Sequence, residues 1–146
     1  MLTISAIRAA MTTAIEAMDP DGRYSIEDSA TASSWIVGPD VSDTGYSPSD
    51  LQASIRISGG SRDGHVMRHQ VAVHIDLANY SGDRTLRGAT DSLTSEDRID
   101  GASRHLMEAL PAAVDGLFSL RYSDPATVDG GTWISCFVLF SLVRPR

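Results

Sequence analysis

Four histidines are the residues of this 146-residue chain best suited to metal chemistry: His65, His69, His74 and His105. On the β-strand predicted around the first three, His65 and His69 share one face, whereas His69 and His74 face opposite ways. A three-ligand zinc site would need His105 to reach over from a predicted helix, and neither a cysteine pair nor an HExxH pattern supports one. The sequence therefore predicts no metal site, and we interpret the histidines as paired or solvated side chains.

His74 and Asp76 lie two residues apart on the polar face of the same predicted strand, a spacing that allows an acid–base pair. The nearest candidate nucleophiles are Ser54 and Ser81, and neither belongs to a GxSxG-type elbow. The single cysteine, Cys136, lies inside an apolar run and is interpreted as a small buried side chain. We therefore predict no catalytic residue, no cofactor and no enzymatic activity.

The composition is that of an ordinary globular chain, with 42% hydrophobic residues, 21% charged residues and a formal net charge of −7. All twelve basic residues are arginine. The negative balance argues against a surface that grips nucleic acid, unless Arg56, Arg62, Arg68, Arg84 and Arg87 cluster on one face. No apolar run reaches the roughly 18 residues of a membrane span, so we expect no membrane partner.

The stretch from His65 to Tyr80 must position most of these side chains. Its alternate residues are apolar and polar, which predicts a long strand over Val66–Leu77 with one face on a core. Leu51–Ser58 alternates in the same way. Because Gly59–Gly64 has the composition of a hairpin loop, we predict that these two strands pair antiparallel.

Two segments have the apolar spacing of amphipathic helices, Thr3–Met18 and Ser95–Leu110. Thr3 or Ser5 is predicted to cap the first helix, and Thr94 forms a capping box with Asp97 at the start of the second. Pro111 is predicted to break or kink the second helix.

The remaining predictions concern short strands and connections. The strands are Arg23–Asp28, Leu117–Tyr122 and Thr132–Val143, the last of which is apolar on both faces and should be covered on both faces or lie in mid-sheet. Ser81–Leu93 and Ser123–Gly131 are predicted to be loops, and Arg144–Arg146 an exposed tail. Together the elements predict a single α+β domain over residues 1–146, with a mainly antiparallel sheet of about five strands and both helices packed on one face.

The order of elements, with some short motifs, resembles the tail terminator (tail completion) proteins of long-tailed phages. The first half comprises LTISAIRAAMTTAIEAM, a WIVGPDV segment of the "VVGPP-D" kind, and the strand SPSDLQASIRI. The second half comprises the late helix GASRHLMEALPAAVDG and the strands of LFSLRYSDPATVDGGTWISCFVLFSLV. The sequence departs from the family pattern at Asp40, which replaces the second proline, and in the long loop before the late helix.

The resemblance implies a structural virion protein of the phage neck, assembled in the host cytoplasm. Such a subunit forms a ring homo-oligomer, expected to be a hexamer, that caps the tail tube protein and docks to the head–tail connector protein. Genomic DNA would pass through the acidic lumen without specific binding. The loops Val37–Asp50 and Ser81–Leu93 are the predicted interfaces, on the grounds of length and polarity alone.

Two alternatives stay open at this point. The departures from the family pattern leave room for another neck component, such as a head-closure or connector subunit. A small cytoplasmic enzyme or ligand-binding domain, using a pocket near His69, His74 and Asp76, is the rival from a different functional class.

Overall fold

Two helices and nine strands make up the described part of the chain. The computed structural model describes residues 3–19, 35–38, 51–78, 84–85, 92–128, 130 and 133–145. The helices are α1 (Ile4–Glu16) and α2 (Ser95–Ala113). The strands are β1 (Trp35–Val37), β2 (Leu51–Ile57), β3 (Ser61–Asp63), β4 (Val66–Ala78), β5 (Arg84–Thr85), β6 (Ser92–Leu93), β7 (Leu117–Tyr122), β8 (Ala126–Val128) and β9 (Trp133–Pro145).

Seven of these strands form one mixed sheet, which confirms the predicted α+β class. The main path through it runs β1-β2-β4-β9-β7, while β3 pairs with β4 and β8 pairs with β9. The predicted antiparallel pair of β2 and β4 is confirmed, and β9 lies in mid-sheet as expected. Among the described strands, only β1 pairs parallel, with β2. A parallel neighbour needs a long connection, and thirteen residues separate Val37 from Leu51 in the sequence.

The predicted alternation of β4 places one of its faces in the core. Val71, Val73, Ile75 and Leu77 are fully buried, whereas His74 on the other parity is exposed. Residues of both helices join the same core cluster, among them Ile7, Met11, Ile15, Ile99, Leu106 and Leu110. The helices therefore cover the apolar face of the sheet, as burial of a single apolar face requires. No helix in the described ranges is long and apolar enough to cross a membrane.

Three segments predicted as loops contain strands. Within Gly59–Gly64, β3 continues the pairing with β4, and the turn is confined to Gly64 and His65, where Gly64 has φ +63°. The predicted loop Ser81–Leu93 contains β5 and β6, which pair with each other. The connection Ser123–Gly131 contains β8. These strands are two or three residues long, so their sequences are too short to show an alternation.

The predicted strand Arg23–Asp28 and residues 39–50 of the predicted interface loop lie outside the described residues. The same holds for residues 79–83 and 86–91 around β5, and for Arg146 at the predicted tail.

The predicted helix caps are confirmed at two threonines. The hydroxyl of Thr3 accepts from the Ala6 amide at 3.1 Å, at the start of α1. The hydroxyl of Thr94 accepts from the Asp97 amide at 3.1 Å and donates to the Asp97 carboxylate at 2.8 Å. Each cap satisfies an amide that has no partner within its helix.

Of the two predicted effects of Pro111, a break does not occur, because α2 continues to Ala113. Proline lacks the N–H that would donate to the carbonyl four residues earlier, which here belongs to Met107. The hydroxyl of Ser119 in β7 donates to that carbonyl instead. A strand side chain thus replaces the missing helix bond and ties α2 to the sheet.

Gly116, in the turn between α2 and β7, fits only without a side chain. Its φ is +79°, and a Cβ there would lie 2.2 Å from the Val143 carbonyl oxygen. The Val143 amide donates to the Gly116 carbonyl at 2.8 Å, which fixes the start of β7 against β9.

Ser119→Ala should lower the free energy of unfolding by about 1–3 kcal/mol, because it leaves the Met107 carbonyl without a donor. Pro111→Ala restores an N–H at position 111, so it should recover most of that loss in the Ser119→Ala background. Urea unfolding of the wild type, both single variants and the double variant measures this coupling. Strict additivity of the two substitutions would contradict the proposed exchange of donors.

Candidate functional site

The side of the sheet opposite the helices carries the most exposed chemistry of the described residues. We call it the open face and define it by side chains that share the parity of His74. Its members include Arg56, Arg68, Gln70, His74, Asp76, Phe118, Leu120, Arg121, Val128, Phe137 and Ser141. Phe118 and Leu120 are the two most exposed large apolar side chains described, at 58% and 55%.

A β-bulge in β7 shapes this surface. Ser119 pairs with Phe140 and Arg121 pairs with Leu139, so Leu120 is the extra residue between them. A bulge places two successive side chains on one side of a strand. Leu120 and Arg121 therefore both reach the open face, where the Arg121 guanidinium carbon lies 5.7 Å from the centroid of the Phe137 ring. That distance permits a cation–π contact.

A shallow pocket of about 310 Å³ lies at the end of the open face nearest β3. Arg68, Gln70 and Ser141 contribute polar lining, Leu120 contributes apolar lining, and His69, a residue of the predicted rival pocket, also lines it. Arg68 donates to the Asp63 carboxylate at 3.1 Å and to the Ser141 hydroxyl at 3.4 Å. Arg68 and Asp63 are both about half exposed, so water screens their attraction. The pocket thus combines an arginine, Arg68, whose guanidinium is hydrogen-bonded to Asp63 and Ser141, with the exposed side chain of Leu120.

His69 lies on the opposite parity from the open face and is only 5% exposed. Its Nδ1 lies 2.9 Å from the Ser58 carbonyl oxygen, which can only accept, so Nδ1 carries the proton. Its Nε2 accepts from Arg144 Nε at 3.0 Å. Both ring nitrogens are therefore used within the fold, and the predicted exposed tail is wrong at Arg144. A Cβ at Gly60 would lie 2.7 Å from the His69 ring, so this glycine makes room for it.

His74 and Asp76 share the polar side of β4, as the sequence predicts, but they have different partners. Asp76 accepts from the hydroxyl of Ser135 on β9. The ring of His74 lies 6.1 Å from that of Phe137, centroid to centroid. Both residues belong to the described part of β4, and no hydrogen bond joins them there. The spacing alone could not reveal Ser135, because that partner comes from a strand far along the chain.

The other candidates are dispersed. Ser54 lies opposite His74 in the register of β2 and β4, whereas Ser81 lies outside the described residues. His65 is in the turn before β4, and His105 is on α2. Within the described ranges, no three histidine, cysteine or acidic side chains come together as a metal site.

Two of the five arginines considered for nucleic-acid binding share the open face, Arg56 and Arg68. Arg62 pairs with Met67 and so has the opposite parity. The side chain of Arg84 and all of Arg87 lie outside the described residues. Arg121 joins the open face through the bulge, which the sequence alone did not indicate.

No protein-family model matches this chain, and a search of curated proteins found no match either.

Cys136 is buried in the core, as predicted, with its side chain 4% exposed. Ser103 donates its hydroxyl proton to the Ile99 carbonyl at 2.7 Å, so the thiol is the donor in the 2.9 Å contact between Cys136 Sγ and Ser103 Oγ. Burial raises the pKa of the Cys136 thiol from 9.0 to about 11. A neutral thiol held in this way is a poor nucleophile near neutral pH.

The raised pKa of Cys136 predicts a loss of stability in alkali. The unfolded thiol ionises from pH 9 and the folded thiol only near pH 11, so the contribution of the neutral thiol is complete below pH 9. It should fall by about 2–3 kcal/mol as pH rises through this window. Unfolding in guanidinium at pH 8 to 11 measures the effect, and Cys136→Ala should show a flatter profile. Parallel profiles for the two proteins would contradict the assignment.

Proposed function

We propose that this protein is a subunit of the ring that terminates the tail tube of a long-tailed phage and joins it to the head. The observation that supports this most is the exposure of Phe118 and Leu120 on β7, an edge strand of the described sheet. Monomers rarely leave large apolar side chains adjacent at a sheet edge, because such a surface favours association. A ring subunit covers this kind of surface with another chain.

The charge of the chain supports the same proposal. A formal charge of −7 repels phosphate, and a ring with an acidic lumen lets DNA slide through without specific binding. The partners are other copies of the subunit, the tail tube protein and the head–tail connector protein. The site of action is the virion neck, after assembly in the host cytoplasm, and the role is structural rather than enzymatic.

The open face also favours an assembly role over the rival pocket enzyme. His69 has both ring nitrogens engaged by Ser58 and Arg144, and Asp76 is engaged by Ser135 rather than by His74. The acid–base pair on which the rival enzyme depends, His74 with Asp76 in the described strand β4, is therefore not formed.

The proposal is tested by the mass of the purified protein in light scattering, alone and after mixing with tail tubes. We expect a closed ring of about six copies, or recruitment to one end of each tube seen by electron microscopy. A monomer that ignores tubes would overturn the proposal. Binding to isolated connectors but not to tubes would instead assign the chain to another component of the neck.

Phe118→Ser and Leu120→Ser should raise the concentration for half-assembly at least about tenfold each, since each removes a large apolar contact. Because both side chains are exposed in the monomer, its unfolding free energy should change by less than about 0.5 kcal/mol. Val128→Ser is the matched control, since Val128 is 40% exposed on β8. If all three substitutions raised the concentration for half-assembly equally, the proposal that β7 makes the contact between subunits would be contradicted.

A further inference from the structure

We propose that the open face of one subunit binds the outer surface of α2 of a second copy, in a head-to-tail contact. The inference rests on the proposed function, because it names the surfaces through which the ring would close. The contact does not involve the loops Val37–Asp50 and Ser81–Leu93, which the sequence predicted as interfaces.

The charges of the two surfaces are complementary. The open face carries Arg56, Arg68 and Arg121 on a chain whose net charge is −7. Among the described carboxylates of β3 and β4, Asp63 pairs with Arg68 and Asp76 is engaged by Ser135. Arg56 and Arg121 are therefore the cations of this face that a partner would meet. The partner surface that suits them must be acidic and must leave room for Phe118 and Leu120.

The outer surface of α2 meets both requirements. Its sequence holds four carboxylates and two arginines, of which Arg98 is buried. Residues four apart lie in a row on a helix, so Glu96, Asp100, Arg104, Glu108 and Ala112 form one stripe. The Arg104 guanidinium lies 4.0 Å from the Asp100 carboxylate and offsets its charge, so three carboxylates and one arginine give the stripe a net charge of −2. All five are exposed or half-exposed. The stripe ends at Ala112, and this small exposed side chain and its exposed neighbour Ala113 allow close approach by a large apolar residue.

The two surfaces lie on opposite sides of the same subunit, since α2 packs on the core face of the sheet. One copy therefore presents both surfaces at once, each to a different neighbour. A contact of this heterologous kind propagates from copy to copy and closes into a ring when the rotation allows. A symmetric pair of open faces would instead set arginines against arginines and stop at a dimer.

Charge reversal on each surface tests the inference. The open-face variant is Arg56→Glu with Arg121→Glu, and the helix variant is Glu96→Arg with Glu108→Arg. Each alone should raise the concentration for half-assembly more than about tenfold, because like charges then meet. An equal mixture of the two variants should recover the wild-type mass, since every contact in an alternating ring is again complementary.

The controls are Arg62→Glu, an exposed arginine of the opposite parity, and Glu16→Arg, an exposed acid on α1. Both should assemble as the wild type does. Circular dichroism and melting of each unassembled variant establish that it is folded. Addition of 1 M NaCl should weaken wild-type assembly, because screening then acts within about 3 Å.

The outcomes separate this inference from the proposed function. Rings that both reversals leave intact would overturn the inference and leave the ring proposal standing. Heterodimers without larger species in the mixture would also overturn it, in favour of a symmetric contact. Self-association through these surfaces into open chains, with neither a closed ring nor recruitment to tail tubes, would support the inference and overturn the proposed function. A wild type that stays monomeric both alone and with tail tubes, or that binds a single-stranded DNA oligonucleotide through Arg56 and Arg121 instead, would overturn both.

Discussion

The antiparallel pairing of β4 with β9 is the constraint on which the rest of the structure depends. Thirteen residue pairs join the strands, from Val66 with Pro145 to Ala78 with Trp133. The other edge of β4 pairs with β2 and β3, and the other edge of β9 pairs with β7 and β8. A slip of one residue in this ladder would move every core side chain of one strand to the opposite face. The register therefore decides at once which residues build the core and which are presented to a partner.

Three small departures from regular helix and strand geometry make contacts between the elements of this sheet framework. The bulge at Leu120 turns Arg121 toward Phe137 and returns Tyr122 to the core side. Pro111 removes one helix hydrogen bond and leaves the Met107 carbonyl without a backbone donor. The Ser119 hydroxyl donates to that carbonyl and so connects α2 to β7. The ring of His69 fills the space above Gly60, and its two hydrogen bonds join the β2–β3 junction to the end of β9. In each case a local irregularity makes a contact between elements.

The sequence predicted the features that depend on local periodicity or local hydrogen bonding. The long alternation of β4, the apolar stripes of α1 and α2, and the caps at Thr3 and Thr94 all follow from neighbouring residues. The parallel pairing of β1 and the short strand β8 depend on the partner strand, so no local pattern indicates them. The same limit applies to the open face. Alternation identified its β4 residues, but the presence of Arg121 depends on a bulge, and the partner of Asp76 depends on the register with β9.

The position of β9 in the sheet has a consequence for biosynthesis. Every other strand of the main sheet precedes β9 along the chain, yet β4, β7 and β8 all pair with it. As the chain emerges from the ribosome, β4 has β2 and β3 as partners but exposes its second edge until β9 appears. Contacts so distant in sequence form slowly, and an unpaired strand is prone to associate wrongly in the interval. The surface of a finished subunit is thus created late and in one step, when β9 fills the gap between β4 and β7.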